Sequence, residues 1–261
     1  LLSSAISAYG EPELSSSKNQ LYFEKDDKPL DKKKYSLIKD IKEIDDWIKE
    51  AHEIGEVAVD TETSSLDPHQ ASLIGISLST KIGKACYIPI GHNSKNCLDK
   101  ELVLKKLKPL LEDSTVKKIG QNIKFDFIIF YKHGINLLSI EDTMLMSYVL
   151  DAGKNRHNMD TLSEIHLGHK TITFKDLVGS GKKEINFSEV NVEKAKDYAA
   201  EDADITLRLY KKFYKSLKTE KMINIYEIFE KPMIKILAYM EIEGIKIDNK
   251  FLKILSSKFE K

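Results

Sequence analysis

The sequence predicts an α/β fold with a mixed sheet, in which antiparallel strands come first, parallel strands follow, and helices flank both. Three short β-rich runs follow one another with short links, as in an antiparallel meander: EVAVDTET, ASLIGISLST and KACYIPI. Beyond them, helix-like and strand-like runs alternate, which is typical of a parallel part of a sheet. The pairing is therefore expected to change from antiparallel to parallel along the chain.

The elements can be assigned in order along the chain. Residues 1–34 are polar and rich in Lys and Ser, as expected for a linker or leader. Order should begin near Tyr35, and apolar spacing over residues 38–53 predicts a helix with Trp47 on its apolar face. After the meander we expect helices at residues 100–113, 122–134, 141–153, 192–217 and 222–243, and strands at 116–121 and 135–140.

Composition sets limits on the class of protein. The 261 residues fit one large domain with flanking pieces, and 41 basic residues balance 41 acidic ones, so net charge does not indicate a nucleic-acid partner. The two cysteines match no zinc or redox pattern and make no disulfide framework. No apolar run is long enough to span a membrane, and the N-terminus lacks signal-peptide features. We expect a cytoplasmic protein that is monomeric and does not bind membranes.

Asp60 and Glu62 lie at the end of an apolar strand candidate, in the run VDTET. Residues two apart on a strand point to the same face, so the two carboxylates would project together and repel each other. A divalent cation relieves such repulsion, because hard cations bind carboxylate oxygens. The alternative is a solvated strand end.

Asn122 and Asp126 are four apart, so they share one face of an otherwise apolar helical run. A carboxylate is expensive to bury unpaired among Phe and Ile side chains. Asp126 should therefore face either water or a cation.

Tyr198 and Asp202 share a face of the long helix in the same way. Glu201 and Asp204 point elsewhere, and we expect them to be solvated. An exposed acidic turn is the alternative for the whole segment.

One strand and two helices thus supply four carboxylates, without the Cys or His partners that zinc prefers. Such a set suits Mg²⁺ or Mn²⁺. Two of these ions form the clamp that many enzymes use for phosphoryl transfer. The sequence therefore favours two divalent metal ions as cofactors.

The order Asp-x-Glu, Asn-x-x-x-Asp and Tyr-x-x-x-Asp resembles the three exonuclease motifs of DEDD-type 3′→5′ exonucleases, in the subclass that has tyrosine. Longer segments look like the proofreading domain of bacterial DNA polymerase I: DTETSSLD, GQNIKFD, EDTMLMSYVLDAG, HKTITFKDLVGSGK and YAAEDADITLRLY. The similarity covers residues 35–217, and EIEGIKID looks like the start of the polymerase region. Residues 218–261 would then be a helical segment that leads towards a polymerase domain of the same full-length chain.

The resemblance implies a ribonuclease H-like fold and removal of nucleotides from the 3′ end of single-stranded or frayed DNA, with release of nucleoside 5′-monophosphates. It implies that Asp60, Glu62, Asp126 and Asp202 bind the two metal ions. Tyr198 would orient the attacking water, because a tyrosine hydroxyl stays protonated near neutral pH. None of the five residues is substituted, which argues for an active enzyme.

Five further residues match positions that hold the last nucleotides in this family: Leu66, Gln121, Asn122, Arg156 and Phe174. Leu66 and Phe174 could stack on bases, and Arg156 could pair with a phosphate. Taken alone, the same side chains could be core or surface residues. Phe125 departs from the family, which often has Tyr there, so a hydroxyl contact would be lost and the rate tuned.

Two alternatives remain open. One is an RNA 3′-processing exonuclease of the ribonuclease D type, which uses the same carboxylates but does not explain the polymerase-like EIEGIKID. The other is a non-catalytic structural or DNA-binding module of a polymerase, which does not explain the complete carboxylate set.

Overall fold

The computed structural model describes residues 35–94, 96–181 and 184–260, so the predicted leader at residues 1–34 lies outside the described chain. The strands are β1 (Tyr35–Leu37), β2 (Glu56–Thr63), β3 (Leu73–Lys81), β4 (Lys84–Pro89), β5 (Lys117–Gly120) and β6 (Ile140–Asp142). The α-helices are α1 (Glu43–Ile54), α2 (Lys100–Leu111), α3 (Ile123–Lys132), α4 (Thr143–Asp151), α5 (Met159–Leu167), α6 (Phe174–Val178), α7 (Val192–Thr219), α8 (Ile223–Ile225), α9 (Lys231–Glu243) and α10 (Asn249–Phe259). A 3-10 turn covers Phe187–Glu189, and a π-helical turn covers Tyr226–Glu230.

All six strands form one sheet in the order β1-β4-β3-β2-β5-β6. Strands β2, β3 and β4 pair antiparallel as the predicted meander, whereas β2, β5 and β6 pair parallel. The predicted change from antiparallel to parallel pairing is confirmed, and it occurs at β2. The short edge strand β1, parallel to β4, was not predicted.

The strand predicted at residues 135–140 is wrong in position, because the strand in the structure is Ile140–Asp142. Ile135 and Leu137 are buried in the core, but they lie in irregular chain. Strand pairing begins only where Ile140 meets Lys118 of β5. The alternation of buried and exposed residues before Ile140 therefore resembles a strand, although this stretch pairs with no other strand in the described chain.

The helix predicted over residues 38–53 is present as α1 with Trp47 buried, but it begins later than predicted, at Glu43. The final predicted helix, 222–243, is interrupted by the π-helical turn at Tyr226–Glu230. Helices α5 and α6 were not predicted from their short and mixed sequences.

The expectation that Glu201 and Asp204 are solvated is wrong, since both residues of helix α7 are fully buried. The helix packs on the sheet on one side and against α4 and α5 on another, so few of its positions face water. Glu201 bonds the His169 ring at 2.9 Å, and Asp204 accepts a hydrogen bond from the Tyr35 hydroxyl at 2.9 Å. Buried acids of this kind are stable because they have partners.

Strand β2 lies in the middle of the sheet, between β3 and β5. Its residues Val57, Ala58 and Val59 are buried, as expected for a strand covered on both faces. Close packing extends to β3, where Gly75 lies opposite Glu62. A Cβ atom on Gly75 would meet the Tyr87 hydroxyl oxygen at 2.1 Å, so the Tyr87 side chain lies directly over the glycine.

We predict that Gly75→Ala destabilises the protein by about 1–3 kcal/mol, because the added methyl overpacks a well-filled site. Tyr87 cannot easily move away, since it is fully buried and its hydroxyl is hydrogen-bonded to His92 at 2.7 Å. Chemical denaturation followed by circular dichroism measures the change.

Ser77→Ala is the matched control, because Ser77 lies on the same face of β3 and is fully buried. Its hydroxyl has no hydrogen-bond partner among the described residues. Removing an unpaired buried hydroxyl should change the free energy of unfolding by less than about 0.5 kcal/mol or stabilise the protein slightly. Equal stabilities of Gly75→Ala and wild type would contradict the packing described here.

Candidate active site

The candidate site lies at the carboxyl end of β2, where antiparallel pairing gives way to parallel pairing. Open α/β sheets bind their ligands at the carboxyl ends of strands, at the point where the strand order reverses. In this sheet the order reverses at β2. Asp60 and Glu62 occupy this end, and the register with β3 shifts between Glu62 and Thr63. A register shift of this kind ends regular pairing and re-aims side chains.

Helix α7 brings a third carboxylate to the end of β2. Carboxylate oxygens of Asp60, Glu62 and Asp202 all lie within 4.8 Å of one another. Tyr198 lies one turn before Asp202 on the same helix face, so the hydroxyl and that carboxylate face the same site. The predicted set from the strand and the long helix is therefore together in space.

Asp126 lies in the first turn of α3, beside the other three acids. Its Oδ1 accepts hydrogen bonds from the Thr61 backbone N–H at 3.0 Å and from the Thr61 hydroxyl at 2.6 Å. Thr61 stands between Asp60 and Glu62 on β2, so the strand itself fixes the position of Asp126. Thr61 was not among the predicted site residues, although its place inside the Asp-x-Glu motif is the signal that identifies it.

Electrostatics in the cluster favour the neutral forms of the acids. Burial raises the pKa of Asp60 to about 6. Burial and the neighbouring charges raise the pKa values of Glu62, Asp126 and Asp202 well above the usual range, with Asp60 contributing to each. Like charges held this close in a buried site are expected to have such raised values.

The pKa of Tyr198 is raised well above the usual range, because partial burial disfavours the charged form and the hydroxyl faces Asp202, Glu62 and Asp60. Its hydroxyl therefore stays protonated at neutral pH. A protonated hydroxyl beside the carboxylates can donate and accept hydrogen bonds, and it can orient a small molecule such as water.

An open cleft of about 490 Å³ lies above the carboxylates. Its lining includes every predicted site residue except Arg156: Asp60, Glu62, Leu66, Gln121, Asn122, Phe125, Asp126, Phe174, Tyr198 and Asp202. Arg156 is exposed and lies outside this lining. The backbone beside it reaches the cleft, since the His157 carbonyl accepts a hydrogen bond from the Gln121 side chain at 2.8 Å.

The chain segment before α7 supplies a part of the cleft that was not predicted: Glu184, Ile185, Asn186 and Phe187. Phe187 is buried and stacks on Phe174 with ring centroids 6.1 Å apart and an angle of 8° between the planes. It also contacts Tyr198, at 6.2 Å between centroids. Phe187 therefore supports the rings of Phe174 and Tyr198. The sequence did not reveal this role, because a single aromatic residue in a polar segment forms no periodic pattern.

Leu66 also lines the cleft and is 92% exposed. Phe174 is 41% exposed despite its stack on Phe187. Exposed apolar side chains at the rim of a polar cleft are typical of contacts to a ligand.

The donor set fits a divalent cation. Glu62 Oε1 is buried and has no hydrogen-bond partner among the described residues. A buried, unpaired carboxylate oxygen is costly, and a hard cation is a natural partner for it. Oxygens of Asp60 and Asp202 lie close enough to share such an ion.

Size alone does not identify the site. A larger depression of about 700 Å³ lies near the start of α7, around Asn93 and Cys97. It contains none of the predicted site residues. In the described chain, no helix combines the length and the apolar character needed to cross a membrane.

Comparison with known proteins identifies related sequences. A family model described as 3′-5′ exonuclease matches residues 35–218. The chain is 42% identical to DNA polymerase I of Rhizobium leguminosarum, over 87% of this chain and 24% of that protein. It is 39% identical to DNA polymerase I of Pseudomonas aeruginosa, over 85% of this chain and 25% of that protein. The chain thus spans about a quarter of the length of these relatives.

Solved structures share the fold. The POL domain of Pol1 from M. smegmatis, in complex with DNA primer-template and dNTP, matches with a TM-score of 0.69 and 18% identity, over 86% of this chain and 35% of that chain. Escherichia coli RNase D, an exoribonuclease involved in structured RNA processing, matches with a TM-score of 0.61 and 16% identity, over 78% of this chain and 50% of that chain. The predicted ribonuclease H-like fold is confirmed by these similarities.

The raised pKa values predict how stability depends on pH when divalent ions are chelated. The pKa of Asp60 is about 6 in the folded protein, against 3.8 ordinarily, so the folded state holds the proton more tightly. Stability from this group is therefore present at pH 4 and falls as the pH rises through 6. In EDTA, the free energy of unfolding of Asp60→Asn should therefore fall by about 1–2 kcal/mol less than that of wild type as the pH rises. This range allows for the partial exposure of Asp60.

Thermal unfolding between pH 4.5 and 7.5 measures the effect. Asp45→Asn, which removes an exposed carboxylate of α1, should keep the pH dependence of wild type. A wild-type protein whose melting temperature rises steadily over this range in EDTA would contradict the predicted sign.

Proposed function

The chain belongs to the 3′-5′ exonuclease family, and on that basis we propose that it removes nucleotides one at a time from the 3′ end of single-stranded or frayed DNA. In the proposal, Asp60, Glu62, Asp126 and Asp202 hold two divalent ions, Mg²⁺ or Mn²⁺. The observation that carries it is the convergence of three carboxylates within 4.8 Å at the floor of an open cleft.

Bound divalent ions would acidify water and neutralise charge on the reacting phosphate. The protein's own groups do the rest of the work. Tyr198 holds its proton because of burial, so its hydroxyl can orient the attacking water. Asp126 is fixed by Thr61, and this keeps the carboxylates in place without movement during the reaction. Attack on the terminal phosphodiester then releases a nucleoside 5′-monophosphate.

The rim of the cleft suits unpaired nucleotides. Leu66 and Phe174 offer apolar surfaces against which bases can stack, and such contacts tolerate any base. Gln121 and Asn122 add polar groups on the same side as Phe125. Phe125 brings no hydroxyl, so we expect it to contribute apolar contact only.

We propose that the C-terminal helices pack against a polymerase region of the same full-length protein. Helices α9 and α10 expose large apolar side chains, among them Met240, Phe251 and Phe259. Continuous exposed apolar surface usually marks an interaction site. The relatives are about four times as long as the part matched here and are named as DNA polymerases. Proofreading of a newly made end would be the role of such a pair.

We predict that the protein shortens a 5′-labelled single-stranded DNA oligonucleotide from its 3′ end in the presence of Mg²⁺. EDTA should abolish the ladder, and Asp60→Ala or Asp202→Ala should lower the rate at least about 1,000-fold, because each removes charge needed in the transition state. Gel electrophoresis of the products gives both rate and polarity.

Asp45→Asn is the control and should digest DNA as fast as wild type. An RNA oligonucleotide of the same sequence separates the main proposal from a ribonuclease D-type activity. Faster digestion of RNA than of DNA would overturn the proposed substrate. Absence of any ladder from folded protein, with Mg²⁺ or Mn²⁺, would favour a non-catalytic module.

Phe174→Ala should raise KM for the oligonucleotide about 5- to 150-fold, because base–aromatic stacking contributes roughly 1–3 kcal/mol for each base. The kcat should fall less, since the carboxylates stay in place. Steady-state kinetics at varied DNA concentration measures both constants.

Phe259→Ala removes an equally large exposed ring that lies on α10, outside the cleft. It should leave both constants unchanged. Equal KM values for Phe174→Ala and wild type would remove Phe174 from the proposed binding surface.

A further inference from the structure

Asp142 is a buried carboxylate that joins the starts of two helices. Its side chain accepts hydrogen bonds from the backbone N–H groups of Asn122 at 3.1 Å and Ile123 at 3.0 Å, where α3 begins. It also accepts from Met144 at 2.8 Å and Leu145 at 3.4 Å, where α4 begins. Helix N-termini carry unpaired donors and partial positive charge, so one anion stabilises both.

The start of α3 needs this support. Asn122 has a φ of 63°, in the left-handed region that non-glycine residues rarely occupy. The bonds to Asp142 hold the chain at this turn. Thr143, the next residue along, donates to the Gln121 side chain, whose amide group also bonds the His157 carbonyl. Residues 142 and 143 thus fix the Gln121–Asn122 turn at the edge of the cleft.

The C-terminal segment fixes Asp142 in turn. The Tyr226 hydroxyl accepts a hydrogen bond from the Asp142 backbone N–H at 2.9 Å and donates one to Glu141 Oε2 at 2.9 Å. Lys231 donates to Glu141 Oε1 at 2.7 Å and to Glu227 at 2.9 Å. Tyr226 is fully buried and begins the π-helical turn, a feature that often occurs at functional sites.

We infer that Tyr226 is a positioning residue for the exonuclease site, which acts through Asp142 to hold the Gln121–Asn122 turn against the terminal nucleotide. The nucleotide contact in this inference rests on the proposed function. The hydrogen-bonded path from Tyr226 to the turn does not. Binding of the 3′ end therefore depends on the helical segment that follows the long helix α7.

The carboxylates should be affected less than the turn. Asp126 lies on α3, but two hydrogen bonds from Thr61 tie it to the central strand β2. Asp60 and Glu62 belong to β2 itself, and Asp202 belongs to α7. Loss of the Tyr226 hydroxyl should therefore raise KM more than it lowers kcat.

Tyr226→Phe tests the inference in the full chain. It removes one hydroxyl and leaves the Asp142 N–H and one Glu141 oxygen without this partner. We expect KM for a single-stranded DNA oligonucleotide to rise about 3- to 10-fold, which corresponds to the loss of one hydrogen bond, with kcat within about twofold of wild type. Amide exchange at Asn122 and Ile123 should become at least about tenfold faster, because their acceptor is less firmly held.

Tyr35→Phe is the matched control. Tyr35 is also buried, and its hydroxyl also donates to a buried carboxylate, Asp204, at 2.9 Å. It should lower the melting temperature by a similar amount and leave both KM and amide exchange at Asn122 unchanged. An equal rise in KM for both variants would show general loosening and overturn the inference.

The two readouts separate the inference from the proposed function. Suppose that wild type digests no DNA, and that amide exchange is faster in Tyr226→Phe but not in Tyr35→Phe. This result would support the hydrogen-bonded path and refute the proposed function. Unchanged exchange and KM would overturn the path. If Tyr226→Phe does not fold, Lys231→Met takes its place, since it removes the ion pairs to Glu141 and Glu227 and keeps the Tyr226 hydroxyl. The same changes should appear in smaller size, and their absence would count against the inference.

Discussion

Mutual repulsion among buried carboxylates is the constraint on which the rest of the structure depends. Oxygens of Asp60, Glu62 and Asp202 lie within 4.8 Å of one another, in a place where burial already disfavours charge. Such an arrangement persists only if the surrounding chain holds it firmly. The central strand and the longest helix of the described chain supply these residues.

The support around the cluster comes from polar residues with satisfied partners. Thr61 fixes Asp126, and Glu201 binds both His169 and the backbone N–H of Ile172, which leads into α6. Thr61 thus holds an acid of the site, and Glu201 separately holds the chain segment that leads to Phe174. A site held in this way by rigid elements and their partners can keep its geometry without rearranging.

The sequence predicted the fold well, and it brought attention to five residues that lie together in the structure, because period and motif are local properties. Residues two apart on a strand and four apart on a helix must share a face. It failed where tertiary contacts decide: the alternation at Ile135 and Leu137 came from core packing without strand pairing. Glu201 was expected in water because its many partners lie far away in sequence. No periodic pattern or motif in the sequence identified Phe187 as a residue of the cleft.

The ends of the sheet have a consequence for association between molecules. In the described chain, the outermost strands β1 and β6 each contain only three residues. Long edge strands expose unpaired backbone groups that recruit further strands and start aggregation. Here β6 passes straight into α4, so little free edge remains for another copy to extend. The sheet can therefore keep a long apolar centre while offering almost no template for amyloid-like growth.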